Sequence, residues 1–288
     1  MPKLDIHHST TYRYRNPVSL FPHRLMLRPR ESRELRLISY DLSISPQADL
    51  NWAQDVFGNA VATASFDSPT DSLVIDSKST VDLTAVEWPV FDIDVSAITY
   101  PFSYSDRDWV DLSALTVQQY VDADHRLKTW VEGFIATNST DTLSLLKDIS
   151  LGIASTISYQ SREEEGTQGP LETIDRGWGS CRDFAVLFTE AVRTLGFGAR
   201  LVSGYLFNPD KTLVGSTDSG STHAWAEVFV PGAGWITFDP TNRSMGGANL
   251  IPVAVTRDIT HAAPVSGGYV GPSNSFISLG VTVAVKGP

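Results

Sequence analysis

The chain has 288 residues, with 33 acidic against 22 basic side chains, a formal charge of −11 and a pI of about 4.9. Hydrophobic residues make up 42% and charged residues 19%, which fits one large folded domain or two and excludes a disordered chain. The acidic balance repels phosphate backbones and anionic lipid, so neither nucleic acid nor a membrane is an expected partner. No apolar run approaches the ~18 residues of a membrane helix. The N-terminus has no apolar core of a secretion signal. With a single cysteine, Cys181, the chain cannot close an internal disulfide, and the expected compartment is the cytoplasm.

In chain order, residues 1–100 are predicted to form an all-β, sandwich-like domain. Alternation runs through "IHHSTTYRY" (6–14), "LRLISYDLSI" (35–44), "AVATASF" (60–66) and "DSLVIDSKSTVDL" (71–83), with turn signals at Asn16-Pro17, Ser45-Pro46 and Gly58-Asn59. The stretch "YPFSYSDRD" (100–108) looks like a linker. Residues 101–265 form the second predicted domain, which opens on helical spacing over 114–136 and 141–158. Ser139, Thr140 or Asp141 is placed to cap the second of these helices. A polar loop follows, in which Arg162 and the three glutamates after it are predicted to be solvated.

"RGWGSCRDFAVL" (176–187) then places the cysteine at a helix start, and Gly196 and Gly198 end that helix. Strands are predicted at "ARLVSGYLF" (199–207), "HAWAEVFV" (223–230) and "WITFD" (235–239). Residues 266–288 make a last segment, whose alternating "FISLGVTVAV" (276–285) is a candidate to return to the N-terminal sheet.

Two readings of Cys181 stand side by side. A lone cysteine is commonly a packed side chain. A thiol at a helix N-terminus, however, has its anion stabilised by free N–H groups and the helix dipole, which makes it a nucleophile. His223 opens a strand upstream of "FDPTN" (238–242). If Val228, Val230, Ile236 and Phe238 face the core, then His223, Trp225, Glu227, Thr237 and Asp239 share the opposite face, provided the intervening turn is odd in length or bulged. His223 and Asp239 then become diagonal neighbours, and Cys, His and Asp supply a nucleophile, a base and an orienting carboxylate. Trp178 and Trp225 either line an acyl-binding cleft or pack in the core. Glu227 is a candidate to support His223. Arg182 and Asp183 are assigned to the first helical turn, and the insert 208–222 to a loop beside the site.

The blocks "GSCRDFAVLFTEAVRTLGFGARLVSGYL" and "HAWAEVFVPGAGWITFDPTN" resemble the bacterial transglutaminase-like family, papain-like cysteine enzymes of the transglutaminase superfamily. "YRYRNPV" and "LRPR" are similar to the β domain that precedes that core. The resemblance implies an α+β fold, with a cysteine-bearing helix packed on an antiparallel sheet. It implies Cys181 as nucleophile, His223 as general base and Asp239 as its orienter. It also implies a peptide or amide substrate, a tie to a peptide-ligase system, and amidase or peptidase action, amine transfer being the alternative. A non-catalytic binding scaffold is the remaining reading. No cofactor and no metal are expected, because no loop of regularly spaced acidic ligands is present.

Overall fold

The computed structural model describes residues 3–136, 139–162, 166–216 and 220–287. Its N-terminal strands are β1 (Lys3–Leu20), β2 (His23–Leu25), β3 (Leu35–Ser45), β4 (Asp49–Gln54), β5 (Ala60–Ser65) and β6 (Thr70–Leu83). They form two sheets. In one, β1 lies between β6 and the C-terminal strand; in the other, β2 and β4 flank β5. Leu20, Leu25, Ala62, Ala64, Leu73 and Ile75 fill the space between the sheets. Each contributes through strict alternation, since successive side chains in a strand point to opposite faces.

The second part of the chain follows as β7 (Thr99–Tyr100), α1 (Asp106–Leu112), α2 (Arg126–Glu132), β8 (Thr140–Asp141), α3 (Thr142–Thr156), β9 (Ser158–Tyr159), α4 (Pro170–Arg176), β10 (Trp178–Gly179) and α5 (Cys181–Thr194). After α5 come β11 (Ala199–Phe207), β12 (Gly220–Val230), β13 (Gly234–Asp239), β14 (Ser244–Met245), β15 (Leu250–Thr256), β16 (Val265–Ser266), β17 (Tyr269–Val270) and β18 (Phe276–Lys286). The antiparallel sheet β14-β13-β12-β11-β15 receives α5 on one face. Phe184, Leu187, Phe188 and Ala191 of the helix meet Ala226, Val228, Ile236 and Phe238 of the sheet in one core. Burying side chains of this size contributes roughly 1.5–3 kcal/mol each.

Strand β18 runs antiparallel to β1 along most of its length, so the two ends of the chain share a sheet. That sheet packs on the back of the central one: Leu4, Ile6, Val81 and Val285 meet Tyr205, Ile251 and Val253. At this junction His8 Nδ1 lies 3.0 Å from the Tyr205 hydroxyl. Burial, with His7 nearby, lowers the His8 pKa to about 4, so the ring is neutral at pH 7.

Three expectations need correction. The spacing over 114–136 yields a helix at 126–132 only, preceded by a short 3-10 turn at Ser113–Thr116. The intervening backbone is diverted because the buried Glu190 carboxylate accepts the N–H groups of Gln119 (2.7 Å) and Tyr120 (3.2 Å). The stretch 100–108 is not a free linker. Tyr100 stacks on Phe197, and the Tyr104 hydroxyl donates to Phe229 O (2.7 Å) while accepting from Gly198 N (3.0 Å). Arg162 is not solvated: it pairs with Asp183, which is fully buried. Residues 163–165 of the same run lie outside the described residues. The cap of α3 is Asp141, whose carboxylate accepts Ser144 N (2.7 Å).

Candidate active site

Cys181 is the first residue of α5, and its position is set by Asp183 two residues on. The Asp183 carboxylate accepts Ser180 N (2.7 Å), Ser180 Oγ (2.8 Å) and Gln168 N (2.7 Å), and Arg162 donates to both of its oxygens (2.8 and 3.1 Å). One carboxylate thus locks the helix start to the loop ahead of α4. Gly179 is required beside it, since a Cβ there would come within 2.9 Å of Asp183 Cβ.

The hairpin β12–β13 pairs Val230 with Gly234, leaving a three-residue turn at 231–233. The odd turn puts His223, Trp225, Thr237 and Asp239 on one face, and Val228, Val230, Ile236 and Phe238 on the core side. His223 and Asp239 are diagonal neighbours, and His223 Nε2 lies 2.8 Å from Asp239 Oδ2. Both side chains are fully buried. Thr241 N (3.0 Å) donates to the other carboxylate oxygen, Asp239 Oδ1, and Asn242 Nδ2 (2.8 Å) donates to Oδ2.

With Nε2 bonded to the carboxylate, Nδ1 of His223 is the free nitrogen, and it has no partner aligned as a regular hydrogen bond. The Cys181 thiol lies close enough for it and the imidazole each to stabilise the charge of the other. Burial raises the pKa of the thiol, but hydrogen bonding and charge from His223, the Ala224 N–H and the Arg182 guanidinium outweigh it, and the net shift is downward. Burial lowers that of His223, yet Asp239 and the thiolate overcome it and raise the pKa to about 10. Asp239 is held below its ordinary value despite burial, by the imidazolium and by Asn242. The directions agree: each partner makes the thiol more acidic and the imidazole more basic, with the carboxylate supporting the charged ring.

Tyr159 borders the same space. Its ring meets Phe184, and burial followed by the nearby Cys181 pushes its hydroxyl up to about 12, so it remains a proton donor. Neither Tyr159 nor Asn242 stands out in the sequence as a site residue. Asn242, three residues after Asp239 in "FDPTN", carried the available signal, because a short polar side chain there can reach back to the carboxylate.

The two tryptophans separate. Trp178 is partly exposed, with the Arg176 guanidinium 5.4 Å from its ring centre. Trp225 is 1% exposed and packs among Val202, Leu206, Leu250 and Val255, with the His223 ring stacked beside it at 6.1 Å. The structure therefore gives Trp225 no surface for a substrate; it buttresses the imidazole. Glu227 does not reach His223. Its carboxylate takes Arg200 Nε at 2.7 Å, and that guanidinium lies over the Trp235 ring. The insert 208–222 borders the site as far as it is described, with residues 217–219 outside the described set. Among the described residues, no cluster of His, Cys, Asp or Glu is arranged to hold a metal ion, and no helix is long and apolar enough to cross a membrane.

A helix-borne cysteine set against a histidine and an aspartate from the adjoining sheet defines an α+β core of the transglutaminase and papain-like type. Residues 4–82 match the bacterial transglutaminase-like N-terminal region, and residues 128–240 match the transglutaminase-like superfamily. The chain belongs to this bacterial transglutaminase-like family. An uncharacterised protein of Mycobacterium leprae is 27% identical over 94% of both chains. One of Mycobacterium tuberculosis is 27% identical over 96% of this chain and 90% of its own length. A crystal structure from Cytophaga hutchinsonii, of a candidate cysteine protease, shares the fold. It superposes with a TM-score of 0.75 at 23% identity, covering 99% of this chain and 90% of the other.

Proposed function

We propose that this protein is a cysteine-dependent amidase or peptidase working through Cys181, His223 and Asp239. The observation that carries the reading is one imidazole bonded to a buried carboxylate through Nε2 and interacting with the chain's single thiol. The Cys181 thiolate attacks the amide carbonyl carbon. Backbone N–H groups at the start of α5 stabilise the oxyanion that forms. The imidazolium gives its proton to the leaving amine, the C–N bond breaks, and a thioester remains on Cys181. His223, now neutral, takes a proton from water as that water attacks the thioester, and the acid leaves with the thiolate restored. Asp239 holds the ring in the orientation that both steps need. Trp178 is the aromatic left to border the acyl group. A lone thiol that must stay reduced suits the cytoplasm.

The same residues serve transfer to an amine if an amine resolves the thioester in place of water. Partial exposure of Cys181 favours water. The test supplies a glutaminyl or alanyl peptide amide together with a labelled primary amine, and follows both products. Free acid is expected to exceed labelled conjugate by tenfold or more. Conjugate in excess of acid would overturn the hydrolase reading, and neither product from a panel of such amides would favour a binding role for the scaffold.

A further inference from the structure

Resting on that functional reading, we propose that Asn242 is a positioning residue, whose one side-chain amide both fixes the Asp239 carboxylate on His223 and ties the 208–216 loop across the imidazole. Its orientation is dictated by chemistry. A carboxylate only accepts, so the group on Asp239 Oδ2 is the Nδ2 donor (2.8 Å); a backbone N–H only donates, so the group on Val214 N is the Oδ1 acceptor (2.7 Å). The oxygen that Asn242 holds is the same Oδ2 that meets His223 Nε2.

The loop end of the tie is itself rigidly built. The Asn208 side chain is completely buried, accepts Thr212 N and Leu213 N, and donates to Leu213 O and Ser216 O. Leu213 packs toward the cluster around Trp225. Next to Val214, Gly215 lies against the Nδ1–Cε1 edge of the His223 ring. A Cβ at Gly215 would stand 3.3 Å from the Tyr159 hydroxyl and 3.6 Å from His223 Nδ1, and its φ of +97° suits glycine. Seating the loop and aligning the carboxylate are therefore one event, since a single planar amide makes both bonds. Released, the loop uncovers the imidazole and leaves Asp239 free to turn from Nε2.

The experiment follows alkylation of Cys181 by iodoacetamide against pH, and compares it with a bulkier maleimide. The charged and titratable groups around the thiol are His223 from the sheet, Arg182 from α5 and Tyr159 from β9, with Asp239 acting through His223. Asn242→Ala is expected to move the thiol midpoint upward by on the order of one pH unit, as befits a hydrogen bond to a charged group. It is also expected to raise the ratio of maleimide to iodoacetamide rates severalfold. Asn242→Asp keeps an acceptor for Val214 but sets a like charge on Asp239. It should shift the midpoint in the same direction with the reagent ratio unchanged, and it decides the matter if the alanine variant fails to fold. A residue that only stabilises its turn would lower the melting temperature and leave the midpoint in place. An unshifted midpoint in either folded variant, over a depressed wild-type value, overturns the role of Asn242 alone. An unchanged reagent ratio in Asn242→Ala overturns the tie to the loop. A wild-type midpoint in the ordinary thiol range overturns this proposal and the functional reading together.

Discussion

Replacing Cys181 with serine is expected to reduce amide turnover by on the order of 10⁴-fold or more while leaving the fold intact. The loss follows from acidity. An imidazolium beside a carboxylate can hold a thiolate, whose ordinary pKa is about 8.5, but it cannot hold an alkoxide. The serine hydroxyl would need His223 as a free base, yet the buried Asp239 carboxylate still draws that ring toward its protonated form. Nor is the fold expected to suffer, because Cys181 is partly exposed and its sulfur accepts a hydrogen bond from Ala224 N that an oxygen can also take. Turnover of a peptide amide, measured beside the thermal unfolding midpoint, checks both halves. Activity within tenfold of wild type would mean that the thiol is not the nucleophile.

Asp183→Ala is expected to act on stability instead, at a cost of about 3–5 kcal/mol. The carboxylate is completely buried and satisfies two backbone N–H groups, the Ser180 hydroxyl and the largely buried Arg162 guanidinium. Removing it strands a charge and three donors in low dielectric, where each unmet group is penalised. The helix start that carries Cys181 then loses its anchor, so alkylation kinetics and unfolding should change together. At ~2–4 °C per kcal/mol for a chain of this size, the thermal midpoint falls by roughly 10 °C. A drop below 2 °C would show that water replaces the carboxylate freely, and that the buried cluster is weaker than its geometry implies.

Much of this site follows from the periods of the sequence. The spacing of Val228, Val230, Ile236 and Phe238 gives the face that meets α5, and the same period of two puts His223 and Asp239 together once the turn is odd. Glycines before Cys181 mark a close backbone approach, which the contact between Gly179 and Asp183 explains. What the sequence hides is pairing across long separations. Nothing near Asp183 announces Arg162, and a run of charges was expected to face water. Trp225 carries the alternation of a site residue, but Val202 and Leu206 of β11 and Leu250 and Val255 of β15 pack around it, so the ring is core. Likewise, the apolar spacing over 114–136 is real, and Glu190, seventy residues away, still draws its backbone out of a helix. Local pattern specifies which face is apolar; it does not specify which distant polar group claims a backbone.

The central claim, a thiolate sustained by His223, is tested most directly by the rate of iodoacetamide alkylation of Cys181 across pH in the wild-type protein and in His223→Ala. The account predicts a wild-type midpoint at least one pH unit below the ordinary thiol value of about 8.5, and a return toward that value once the imidazole is gone. A wild-type midpoint at the ordinary value, or one indifferent to the loss of His223, would contradict it.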